Sequence, residues 1–102
     1  MNDLTQRLAA LAASGETISY GALAQALGWR VSHLTAALES LMEQDARTGQ
    51  PLRAALLAGR LSQGLPAPGF FAKAAELGYH ITDPAAFVAD HRARLRASTT
   101  LS

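Results

Sequence analysis

The chain has 102 residues, with nine lysines and arginines against eight aspartates and glutamates and a formal net charge of +1. That length corresponds to one domain with a modest core that needs no covalent staples. Cysteine is absent, which excludes disulfides, thiolate metal ligands and a cysteine nucleophile, and which suits a cytoplasmic setting. The first seven residues carry charge where a signal peptide needs a basic start and an apolar run, and no apolar stretch is long enough to span a bilayer. Charge is uneven along the chain. Residues 1–50 hold three basic and five acidic groups, whereas residues 51–102 hold six basic and three acidic ones.

Leu4, Leu8 and Leu11 recur at helical spacing and predict a first helix over about residues 2–13, closed by Ser14 and Gly15. A short link, Glu16-Thr17-Ile18, is suited to pairing as a strand. Ser19 then stands as the N-cap of a second helix whose inward positions are Leu23, Ala24 and Leu27, and Gly28 supplies a left-handed stop. A third helix follows at once over about residues 32–46, with Leu34, Ala37, Leu38, Leu41 and Met42 as its apolar face. The small residue at Ala24 lets the two helices approach, and together they read as a helix-turn-helix.

Thr48-Gly49-Gln50-Pro51 closes the third helix and opens a run over residues 52–58 that is apolar on both faces, as a buried strand is. Residues 59–64 then read as the turn of a hairpin and residues 65–69 as its return arm, which two prolines confine to an edge. Phe70, Phe71, Ala74 and Ala75 mark a fourth helix over about residues 69–77, stopped by Gly78. Asp83 and Pro84 cap and begin a fifth, with Phe87, Val88, His91 and Leu95 on one face. The expected fold is mainly α with a small β-hairpin (α+β). It is a winged helix-turn-helix with two appended C-terminal helices, one domain over residues 1–97 followed by a frayed tail at 98–102.

The segment Ser19-Tyr20-Gly21-Ala22-Leu23-Ala24-Gln25-Ala26-Leu27-Gly28 resembles the "TYG.LA..LG" segment that opens the helix-turn-helix of the alkylguanine-DNA alkyltransferases and their alkyltransferase-like relatives. The resemblance implies that Tyr20 lies close to a nucleotide's backbone. It covers about ten residues. The family's reactive "PCHRV" motif has no counterpart here, and its intercalating arginine falls near Ser32-His33, where this chain has none. Alkyl transfer is therefore excluded.

In a winged helix the third helix enters the major groove of double-stranded DNA and reads bases from its N-terminal turns. Ser32, His33, Thr35 and Ala36 would stand there, with Arg30 in the turn, Arg60, Ser62 and Gln63 on the wing, and Tyr20 and Arg53 in support. Glu39 and Glu43 oppose this reading, since they place negative charge on the same helix. The contrasting expectation is a protein-interaction module that uses the Leu61–Phe71 region, and homodimerisation is compatible with both. His33, His80 and His91 lie on separate elements without paired carboxylates, and no set of nucleophile, base and orienter is visible. Neither a metal, a cofactor nor an enzymatic activity is expected, and no membrane contact.

Overall fold

Leu4, Leu8 and Ala12 share one stripe of the first helix, α1 (Asp3–Ser14), and bury it along the last helix, α5 (Pro84–Thr100). The computed structural model describes residues 3–100. Between these helices lie α2 (Tyr20–Leu27), α3 (Val31–Thr48) and α4 (Pro68–Glu76), with two very short strands, β1 (Ile18–Ser19) and β2 (Leu57–Ala58). The architecture is thus mainly helical with a small two-stranded sheet. Among the described residues, no helix is long and apolar enough to cross a membrane.

The helices α2 and α3 and the turn between them form as their sequence dictates. Ser19 Oγ accepts the Ala22 N–H at 3.1 Å, which satisfies one orphan donor of the first turn of α2. Gly28 adopts φ 71°, and the Trp29 N–H closes the helix end onto the Ala24 carbonyl at 2.9 Å. Leu23 and Ala24 are buried and Leu27 is half-buried, facing the buried Leu34, Leu38, Leu41 and Met42 of α3. α3 is longer than its expected span and stops at Gly49, φ 72°. α5 begins under the Asp83 cap, whose Oδ1 accepts the Ala86 N–H at 3.2 Å. It continues as helix to Thr100, through part of the tail expected to fray; residues 101–102 lie outside the described residues.

The expected hairpin is replaced by a different arrangement. Residues 53–56 wind into a 3₁₀ turn, and only Leu57 and Ala58 are extended. Their partner is β1, in parallel register, with Ile18 opposite Leu57 and Ser19 opposite Ala58. The physical reason lies in the hydrogen bonds of this segment. His91 Nδ1 accepts the Leu52 N–H at 2.9 Å, and the Asp45 carboxylate accepts the Arg53 N–H at 3.0 Å. Arg92 donates to the carbonyls of Ala55 at 2.7 Å and Leu57 at 3.4 Å. Side chains from the surrounding helices take bonds that a hairpin partner would supply, so the apolar run stays buried with only its last two residues in a sheet.

The return arm is likewise no strand. Gly59 N–H donates to the Leu65 carbonyl at 2.7 Å and Leu65 N–H to the Ser62 carbonyl at 2.9 Å, closing residues 59–65 into a loop. Pro66 is fully buried. A Cβ on Gly59 would lie 2.6 Å from Ser62 Oγ and 3.0 Å from the backbone of Ala67, so the loop ends meet where only glycine fits.

His91 links stability to pH. Its side chain is 3% exposed and stacks near Phe87 at 4.5 Å, and burial holds its pKa below the usual imidazole value. The neutral ring is also the form that accepts the Leu52 N–H. Below an ordinary pKa of about 6.5 the unfolded chain takes up a proton that the folded chain resists. Stability from this group is therefore full above that value. It declines as pH falls below it, levelling once the lowered folded value is passed. Urea unfolding between about pH 7.5 and pH 5 should show this slope. His91→Phe should abolish the slope and cost about 1–3 kcal/mol by stranding the Leu52 N–H.

Candidate functional site

The exposed start of α3 gathers four of the residues expected to touch DNA. Arg30 is its N-cap residue, and Ser32, His33 and Ala36 are exposed on its first two turns. The His33 ring lies flat against Trp29, with centroids 4.5 Å apart and planes 11° apart, so the turn residue fixes the direction of the imidazole. Thr35 is exposed, but its hydroxyl donates to the Val31 carbonyl at 3.0 Å and is turned back onto its own helix.

Two further residues of the set are held by the fold. Arg53 forms a forked pair with Asp45, Nη2 to Oδ1 at 2.7 Å and Nε to Oδ1 at 3.1 Å, near the C-terminal end of α3. That is about 20 Å along the helix from Ser32 at the α-helical rise. Asp45 is 3% exposed, and among the described residues its carboxylate accepts hydrogen bonds from Arg53 alone. Arg53 is therefore a structural partner, not a member of the surface around Ser32. Tyr20 is half-buried, with burial raising its pKa, and its hydroxyl accepts the Ala67 N–H at 3.1 Å. It ties the start of α2 to the end of the loop.

With no hairpin present, the wing residues fall on the closed loop. Ser62 is half-buried, Gln63 is exposed at φ 51°, and Arg60 lines a groove beside α3. The loop's most exposed large apolar side chain is Leu61, at 95%. The groove encloses about 450 Å³. Its walls are mostly apolar: Val31, Leu38 and Met42 from α3, Ala54 from the 3₁₀ turn, Phe70 from α4, and Tyr20. This groove was not foreseen, because its walls come from residues remote in sequence that each read as ordinary core.

The two glutamates of α3 have different surroundings. Glu39 lines the groove, and Glu43 receives Lys73 Nζ from α4 at 2.6 Å, a contact that lowers the glutamate's pKa and raises the lysine's. The first turns of α2, α3 and α4 contain no acidic residue. Arg30 and Arg60 make no ion pair among the described residues. The histidines stay apart: His33 on Trp29, His91 in the core, His80 exposed after α4. Among the described residues, no group of three or more His, Asp or Glu is placed to share a metal ion.

The Asp45–Arg53 pair at the far end of α3 has a measurable consequence. Asp45→Ala would strand the mostly buried Arg53 guanidinium and the Arg53 N–H, and should cost about 2–4 kcal/mol in urea unfolding. Arg53→Ala should cost a comparable amount, and the double variant should cost less than the two together.

No family model matches the chain, and no curated protein or solved structure shows significant similarity to it.

Proposed function

We propose that this protein is a DNA-binding module of the helix-turn-helix kind, regulatory or accessory in role, that presents the N-terminal turns of α3 to the major groove. The observation that carries this reading is the character of that surface. It is an exposed helix start without acidic residues, preceded by Arg30 and displaying Ser32, His33 and Ala36. An uncompensated helix N-terminus attracts phosphate, and short polar side chains behind it reach base edges without steric conflict. The pairing of Glu43 with Lys73 supports it, since the charge of that glutamate is compensated within the fold. The finer form of the reading is a winged helix in which the closed loop at residues 59–65 stands where a wing would be.

Few cations serve this surface, so affinity should be modest and its salt dependence shallow. Anisotropy of labelled random-sequence duplex should show binding that weakens as salt rises. Each phosphate contact contributes about −0.9 to the slope of log K against log salt. Arg30→Ala should weaken binding on all sequences and flatten the slope by about one contact, whereas Ser32→Ala or His33→Ala should alter the ranking of sequences. Absence of binding at the lowest salt would overturn the proposal.

A further inference from the structure

We infer that the groove beside α3 is the docking site of a second copy of this chain, with Leu61 of each copy seated in the groove of the other. Leu61 is 95% exposed, and Val31, on the groove's rim, is 48% exposed. Large apolar side chains on a folded surface call for a partner when they adjoin an unfilled apolar concavity. Leu61 follows Arg60, which itself lines the groove, yet Leu61 does not enter its own groove. The loop is braced in this posture by the Gly59–Leu65 and Leu65–Ser62 backbone bonds and by Arg92, whose Nη2 donates to the Gly64 carbonyl at 2.8 Å.

A knob and a hole on one face make a self-complementary patch. A two-fold axis fills both at once and closes the assembly, whereas a single foreign ligand would leave Leu61 uncovered. The charges obey the same symmetry. Arg60 and Glu39 both border the groove, and neither makes an ion pair within the chain among the described residues. When Leu61 enters a partner's groove, the adjacent Arg60 arrives at the rim that carries the partner's Glu39, and the pair forms twice. Ser32, Ala36 and Ser40 do not line the groove, so the outward face of α3 stays clear in such a dimer.

Sedimentation of the full chain over a wide concentration range tests this. A monomer–dimer equilibrium is expected, which Leu61→Asp weakens by roughly 30-fold or more, as for a central interface anchor. Glu39→Arg should also weaken it, and adding Arg60→Glu to Glu39→Arg should restore it. Circular dichroism should be unchanged in Leu61→Asp, because the side chain touches almost nothing in the monomer. Arg30→Ala should leave self-association intact, which separates this proposal from the DNA reading. A chain that remains monomeric throughout, a dimer indifferent to Leu61→Asp and Glu39→Arg, or a charge swap without rescue would each overturn it.

Discussion

Residues 52–56 run through the middle of the molecule without a sheet to receive their backbone. An unpaired amide or carbonyl in such a place costs about 1–3 kcal/mol, so several would rival the whole stability of a small domain. The chain meets this with three polar side chains, Asp45 from α3 and His91 and Arg92 from α5, each directed at a particular main-chain atom. They also explain why a charged residue and an imidazole are buried in a core built mostly from leucine and alanine. No buried side-chain polar atom among the described residues is left without a partner.

The same bonds carry order outward to the surface. Arg92 reaches past the central segment to the Gly64 carbonyl, so α5 holds one end of the exposed loop. Tyr20 fastens the chain just beyond the same end through the Ala67 N–H, and the Gly59–Leu65 backbone bond closes the other end onto it. The loop is therefore fixed relative to α2, and the space between it and α3 persists as a groove. An interaction surface placed there is preorganised, which lowers the ordering cost of any docking event.

Local signals in the sequence were sufficient for the helices and their stops. Ser19, Gly28, Gly49 and the Asp83-Pro84 pair act on their immediate neighbours, and leucine spacing marks the buried faces. Residues 52–58 were ambiguous because an apolar run without periodicity fits a buried strand and a buried turn equally well. What decided the outcome was the identity of residues 8 to 39 positions away, and no local pattern announces that His91 will accept from Leu52. One clue was present: Asp45 continues the stripe of Leu34, Leu38, Leu41 and Met42, and a carboxylate at a core position demands a cationic partner such as Arg53. The groove was illegible for a related reason. It is the space that closely packed elements leave between them, not a property of any one of them.

The bracing of the exposed loop has a consequence for how such a surface can change. Its fastenings are bonds to main-chain atoms: those of Gly59, Ser62 and Leu65 to one another, and those of Gly64 and Ala67 to the side chains of Arg92 and Tyr20. The side chains of Arg60, Leu61 and Gln63 carry none of that load. Substitution at Arg60 and Leu61 can drift without threatening the fold, while the left-handed backbone at Gln63 restricts that position, so the identity of whatever meets the loop is free to evolve on a frame that stays constant.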